Sequence, residues 1–199
     1  MRRLPSDDLR CYGDVAARYA EGLDYSIHVR SGGRSGVAVI APHGGRIEGC
    51  TSEIARLIAG HDHGLYLFEG MRAGGDNFDC LHLASRRFDE PRVLDLISQC
   101  DTVIAVHGYA AAGPDVLMGG LDHPLKQVIA RSLEEHGIST LVDGHRFPGT
   151  DPLNVCNRGR SGRGVQLELS EEFRRARQWT RLAEAVRGIL ETAVRQPPE

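Results

Sequence analysis

Two short apolar runs constrain this chain more than any other feature. Gly36-Val37-Ala38-Val39-Ile40 and Thr102-Val103-Ile104-Ala105-Val106 are continuous rather than alternating, and rich in β-branched residues. Such runs read as parallel strands buried on both faces, which requires helices over each side of a sheet. Each run leads into a histidine followed by glycine, His43-Gly44 in one case and His107-Gly108 in the other. Both imidazoles therefore sit just past the carboxyl end of a core strand, where open α/β sheets hold their ligands.

The remaining pattern alternates strands and helices with short connections. Residues 7–21 read as helical, Asp24 to Arg30 as a strand, and Ser31-Gly32-Gly33-Arg34-Ser35-Gly36 as a turn. Thr51 to Ala59 carries Ile54, Leu57 and Ile58 at helical spacing, with Thr51 or Ser52 as N-cap. Leu65 to Phe68 and Leu81 to Ala84 read as short strands. Glu90 to Gln99 reads as a helix with Pro91 in its first turn. A helix from about Pro124 to His136 ends at Gly137, a good residue to follow a helix; Ile138 to Val142 is then a strand. Gly164 to Leu169 alternates strictly, and Glu171 to Val194 is helical with a break near Gln178. With no internal repeat and no linker, the expectation is a single α/β domain over residues 1–199, a mixed open sheet with helices on both faces.

Composition excludes several classes. A formal net charge of -3 gives no electrostatic basis for binding nucleic acid or an anionic membrane. Arginine supplies all the basic residues except Lys126, a skew that codon usage in a GC-rich genome explains better than function. No apolar run approaches a membrane span of about 18 residues. Cys11, Cys50, Cys80, Cys100 and Cys156 are odd in number and never form C-x-x-C, which argues for a reducing compartment and against a disulfide or cysteine–zinc framework. The segment Met1-Arg2-Arg3-Leu4-Pro5-Ser6-Asp7-Asp8 lacks the apolar region of a secretory leader, so the expected location is the cytoplasm.

The chemistry gathers at the two histidines. Glu48 follows His43 by five positions, roughly 140° around a helix axis, so one helical face cannot present both; Gly44 and Gly45 instead suggest a loop that folds back. His43, Glu48 and His107 together make a three-ligand zinc site with an open fourth position, the arrangement of a hydrolase. The alternative is that the histidines satisfy backbone groups at strand ends while Glu48 favours the start of the next helix. His61-Asp62-His63 is a competing cluster, expected to be a polar helix end, and His82 is expected to be a structural histidine inside a strand. On the last strand Gln166 and Glu168 share the face opposite Val165, Leu167 and Leu169. Either that strand is an edge with a solvated outer face, or Glu168 is a carboxylate placed for use, the natural general base beside a metal-bound water. Arg86 and Arg87, after Leu81 to Ala84, and Arg158, in a glycine- and arginine-rich loop, are candidates for holding an anionic substrate.

Taken in order, these motifs resemble the poly-γ-glutamate hydrolase family of phages and bacilli. The resemblance rests on His43-Gly44-Gly45-x-Ile47-Glu48, Thr51-Ser52-Glu53-Ile54-Ala55, Leu65-Tyr66-Leu67-Phe68-Glu69-Gly70 and Leu81-His82-x-x-Ser85-x-Arg87-Phe88-Asp89-Glu90-Pro91. It continues through His107-Gly108, Gly119-Gly120-Leu121-Asp122, Asn157-Arg158-Gly159 and Gly164-Val165-Gln166-Leu167-Glu168-Leu169-Ser170, and spans about Tyr19 to Arg175. It implies a zinc-carboxypeptidase-like fold, with a mixed, mostly parallel sheet. It implies one zinc per chain held by His43, Glu48 and His107, Glu168 as base, and Arg87 ahead of its neighbour Arg86 as the aligned arginine. The substrate implied is an anionic γ-glutamyl polymer cut at its amide bonds. Other readings are a small-substrate amidohydrolase of the N-acyl amino acid type, or a metal-free binding protein on the same scaffold. Cys50 departs from the pattern, standing where glycine is expected just before Thr51, either as a helix-start packing residue or as a perturbation of the metal loop.

Overall fold

The computed structural model describes residues 5–33 and 35–195. The first four residues of the expected non-secretory leader and Arg34 of the expected turn lie outside the described residues. The strands are β1 (Tyr25–Arg30), β2 (Val37–Gly45), β3 (Gly64–Gly70), β4 (Thr102–Tyr109), β5 (Val116–Gly119), β6 (Thr140–Leu141) and β7 (Val165–Ser170). They form one sheet in the order β1-β3-β2-β4-β7-β5-β6. β1 and β5 run antiparallel to their neighbours β3 and β7, while the other four pairings are parallel. The expected mixed, mostly parallel α/β sheet is thus present, and no described helix is long and apolar enough to cross a membrane.

The helices are α1 (Tyr12–Ala16), α2 (Thr51–Ala59), α3 (Asn77–Leu81), α4 (Pro91–Ser98), α5 (His123–Glu135), α6 (Glu171–Ala176) and α7 (Trp179–Arg195). α2 buries Ile54, Ala55, Ile58 and Ala59 with residues of α5 and α7 against Val37, Val39, Ile104, Val106, Val165 and Leu167 of the sheet. Alternate residues of the same strands, Ala38, Ile40, Val103 and Ala105, face a second core containing Leu81, Val93, Leu96, Ile97 and Val155. Both cores are closed by apolar side chains, each worth about 1.5–3 kcal/mol when fully buried. α4 starts where Glu90 accepts hydrogen bonds from the N–H groups of Arg92 and Val93, and α2 ends at Gly60. The break expected near Gln178 falls between α6 and α7, where Arg177 has φ 56°.

Three expectations need correction. The stretch 7–21 yields a short 3₁₀ turn (Pro5–Asp8) and the five-residue α1 rather than one helix. Only Leu9 and Val15 along most of its length are deeply buried hydrophobics, so no continuous apolar stripe requires a long helix. Leu81 to Ala84 is not a strand: Leu81 closes α3, and the alternation of Leu81 and Leu83 reflects burial without pairing. Ile138 to Val142 contracts to the two-residue edge strand β6, which among the described residues pairs only with β5.

β2 holds the feature that sets up the site. Along β3 its register advances from Ala41 opposite Leu67 to Gly44 opposite Glu69, one residue more than its partner. Strict alternation would put His43 on the same face as Val37, Val39 and Ala41; the extra residue turns it to the other face. β2 pairs with β4 only from Val37 to Ile40, so the two strands part before their carboxyl ends. Gly45 then turns with φ 61°, and a Cβ there would lie 2.7 Å from the Gly70 carbonyl oxygen.

Cys50, the first residue outside α2, has φ 74°, the left-handed region that favours glycine. Its side chain packs against the first core, so it acts as a helix-start packing residue. Left-handed backbone costs an ordinary residue about 1–2 kcal/mol, and β-branched residues suffer most. Cys50→Val is therefore expected to be less stable than Cys50→Gly by at least about 1 kcal/mol, measured by denaturant unfolding. Equal stability of the two variants would mean that this turn relaxes freely.

Candidate metal centre

His43 from the end of β2, Glu48 from the following turn, and His107 from β4 converge where β2 and β4 part. All three are buried. His43 Nδ1 lies 3.0 Å from Glu48 Oε1 and 3.1 Å from His107 Nδ1, and His107 Nδ1 lies 3.4 Å from Glu48 Oε2. The turn carrying Glu48 is closed by its own N–H, which donates to the His43 carbonyl at 2.9 Å. The Gly108 N–H donates to Glu48 Oε2 at 2.8 Å, tying the carboxylate to the end of β4.

The protonation pattern follows from the partners. His43 Nε2 sits 2.8 Å from the Leu83 carbonyl, which can only accept, so Nε2 carries the proton and Nδ1 presents a lone pair. Burial lowers the His43 pKa to about 4, so the ring is neutral at neutral pH. Burial alone would raise the pKa of Glu48, but the neighbouring imidazoles hold it well below the usual carboxylate range. Burial lowers the His107 pKa less than its hydrogen bond to Glu48 and the charges of Glu168 and Glu48 raise it, giving a net rise. A neutral His43 thus points a lone pair at a carboxylate oxygen 3.0 Å away, an unfavourable contact that a cation between them turns into ligation. The donor set and the carbonyl fixing the outer nitrogen of His43 fit a divalent metal.

His82 belongs to this cluster as well, which corrects its expected place inside a strand. It follows α3, its ring centroid stands 4.0 Å from that of His43, and its Nε2 is 3.4 Å from Glu48 Oε1. His43, Glu48 and His82 each offer a ligand atom within 4.8 Å of the others. His82 is 28% exposed at its side chain against 2% for His107, and it stacks on Phe78 at 4.4 Å. The apparent alternation of Leu81-His82-Leu83 hid it. The spacing of His61 and His63 leads elsewhere: Asp62 pairs with Arg187 at 2.6 Å, and neither histidine lines the cleft over the centre.

Glu168 is on β7, an interior strand between β4 and β5, directly in register with His107. The edge-strand alternative therefore does not apply. Burial raises its pKa to about 7, despite the opposing charge of His107. A chain of donors orients it. The backbone N–H of Cys156 donates to Asn154 Oδ1 at 3.2 Å, which leaves the Asn154 amide nitrogen to donate to Gln166 Oε1 at 2.9 Å. The Gln166 amide nitrogen then donates to Glu168 Oε1 at 2.9 Å. Because the first donor is a backbone N–H, the direction of the whole chain is fixed. Oε2 keeps no hydrogen-bond partner among the described residues.

The cleft over this centre encloses about 1080 Å³. Arg86 stands at its edge, paired with Asp151 at 3.1 Å. Arg87 and Arg158 do not line it; they border a neighbouring pocket. Two arginines missed in the sequence do line the cleft. Arg174 is buried and braces the centre, donating to the carbonyls of Gly49, Leu169 and Tyr109. Arg146 is exposed, lies 4.8 Å over the Phe147 ring, and has no ion-pair partner among the described residues. Its signal was a Gly-Pro-flanked loop, Gly144-His145-Arg146-Phe147-Pro148-Gly149, following a strand.

Residues 10–183 match the family described as poly-gamma-glutamate hydrolase. The SPbeta prophage-derived UPF0714 protein YoqZ of Bacillus subtilis (strain 168) is 43% identical over 141 residues, covering 70% of this chain and 50% of that protein. The match thus spans about half the length of that relative. A bacteriophage poly-gamma-glutamate hydrolase superposes with a TM-score of 0.87 at 30% identity, over 92% of this chain and 96% of that one. YndL in an apo, zinc-free form superposes with a TM-score of 0.83 at 28% identity, over 93% and 98% of the two chains.

The two outer histidines differ in exposure, and that difference generates a prediction about which of them holds metal. His107→Ala should lower bound metal by at least about tenfold, the usual scale for a lost metal-site partner. His82→Ala, removing the more exposed ring, should leave most of it. Metal content after dialysis, by elemental analysis, checks this; retention in His107→Ala with loss in His82→Ala would reverse the ligand assignment.

Proposed function

Because this chain belongs to the poly-gamma-glutamate hydrolase family, we propose that it is a zinc-dependent amide hydrolase that cuts γ-glutamyl bonds, with His43, Glu48 and His107 as the zinc ligands. The observation that carries this reading is the lone pair of a buried, neutral His43 facing the Glu48 carboxylate, beside a second imidazole and an oriented base. Zinc, the metal named for the apo form of the similar YndL structure, supplies when bound a Lewis acid that polarises a carbonyl and acidifies water.

The chain's own residues do the rest. Glu168 Oε2 takes a proton from water as its oxygen bonds to the scissile carbonyl carbon, and returns that proton to the leaving nitrogen as the carbon–nitrogen bond breaks. Burial keeps Glu168 close to neutral pKa, where it serves as base and then as acid. Gln166 holds Oε1, so the proton-carrying oxygen is the one without a hydrogen-bond partner among the described residues. Arg146 offers a guanidinium for the α-carboxylate that each γ-linked residue carries, and Arg86 offers a second one at the cleft edge once it leaves Asp151.

Glu168→Gln should retain metal and fold but lower kcat on poly-γ-glutamate by at least about 10²-fold. In the native protein kcat/KM should rise from the acid side as Glu168 ionises, with a midpoint at or below about 7 because a bound dication favours the charged form. That acid limb should vanish in the glutamine variant. Gln166→Leu, which removes the orienting donor, should lower kcat by about tenfold with little change in KM. Normal turnover by Glu168→Gln would place the base elsewhere.

A further inference from the structure

A second pocket of about 330 Å³ opens beside the cleft, lined by Arg10, Arg86, Arg87, Asp89, Leu153 and Arg158. Four guanidiniums face one carboxylate there, and that carboxylate is already engaged, accepting from the Tyr12 N–H at 2.6 Å. Arg10 pairs with Asp14 from outside the pocket. Arg87 and Arg158 have no ion-pair partner among the described residues. Each is instead anchored by one nitrogen to a backbone carbonyl, Arg87 to Leu9 at 2.9 Å and Arg158 to Phe88 at 3.2 Å. Anchoring in this way fixes the planar head and leaves its other N–H groups for a ligand, at a lower entropic cost than a free surface arginine. With Arg10 and Arg86 paired to Asp14 and Asp151, Arg87 and Arg158 are the like charges held in this pocket without an ion-pair partner among the described residues, an arrangement unfavourable by itself. An anion relieves that repulsion.

Arg86 lines this pocket and the catalytic cleft alike. The two are therefore neighbouring stations along one surface, divided by the Arg86–Asp151 pair. We propose that the arginine pocket is a distal subsite for an extended γ-linked polycarboxylate, engaging residues of the same chain whose amide bond lies over the metal centre. This rests on the hydrolase reading and adds to it that the protein selects long chains over short ones. A γ-linked polymer places an α-carboxylate on every residue, so a chain reaching past Arg86 presents its next charges to Arg87 and Arg158. A short oligomer fills the cleft and leaves this pocket to solvent.

The test uses Arg87→Gln and Arg158→Gln, singly and together; glutamine keeps an N–H donor for the carbonyl anchor and removes the charge. Arg131→Ala, exposed on α5, is the control. Two quantities are read. One is the ratio of kcat/KM for long poly-γ-glutamate to that for tri-γ-glutamate. The other is the Kd for fluorescently labelled polymer by anisotropy, in the Glu168→Gln background. The double variant should lower the ratio by about tenfold and weaken polymer binding by a similar factor, with a shallower salt dependence, as expected for lost charge contacts. The control should do neither. A wild-type ratio and Kd in the double variant would overturn the subsite while leaving the hydrolase reading intact. Equal losses on trimer and polymer would also overturn it, since the arginines would then support the fold or the cleft. If the wild-type protein cleaves neither substrate, the hydrolase reading fails; the anisotropy comparison still decides whether these arginines hold a polycarboxylate.

Discussion

The Glu48 carboxylate, buried where β2 and β4 part, is the group on which the rest of the centre depends. An isolated carboxylate in such a place costs several kcal/mol. Here the cost is met by a backbone N–H from Gly108 and by the imidazoles of His82 and His107. None of this works without the extra residue in β2 that turns His43 to the same face as His107 and Glu168. The sheet supplies the other half: β4 and β7 run in register, so His107 and Glu168 are neighbours by construction. The proposed metal ligands and base thus stand at or just beyond three strand ends, with Arg174 tying the turn after Glu48 to the ends of β4 and β7. Rigid elements hold both, which favours a preorganised site.

Much of this was legible in the chain. Continuous apolar runs identified β2 and β4, and the position of His43 and His107 at their ends followed directly. The strict alternation around Glu168 placed Gln166 on its face, although not the hydrogen bond between them. Helix α2 matched its expected bounds through its apolar spacing, but its N-cap is Cys50, without a side-chain cap hydrogen bond, rather than the expected Thr51 or Ser52. What remained hidden depended on contacts distant in sequence. His82 looked like one position of an alternating strand, and only the packing of α3 brings it to Glu48. Arg146 lies in a loop whose approach to the cleft depends on the course of the chain after β6. The bulge in β2 left no mark beyond two glycines.

The arginines show why residue type and spacing stop short of function. Arg86, Arg87 and Arg158 are sound candidates by position and by resemblance, yet all three line the second pocket and, of them, Arg86 alone also lines the cleft. Arg174, equally cationic, is consumed by three backbone carbonyls. Charge became informative once the partner of each guanidinium was known: a carbonyl, a carboxylate, or none among the described residues.

The most direct test of this account is the size distribution of poly-γ-glutamate incubated with the protein after chelation and after reconstitution with zinc. The account predicts that the polymer stays long with the chelated protein. Adding zinc should shorten it, with new amino groups appearing in step with the loss of length. A polymer of unchanged size in the presence of a fully zinc-loaded, folded protein would contradict it.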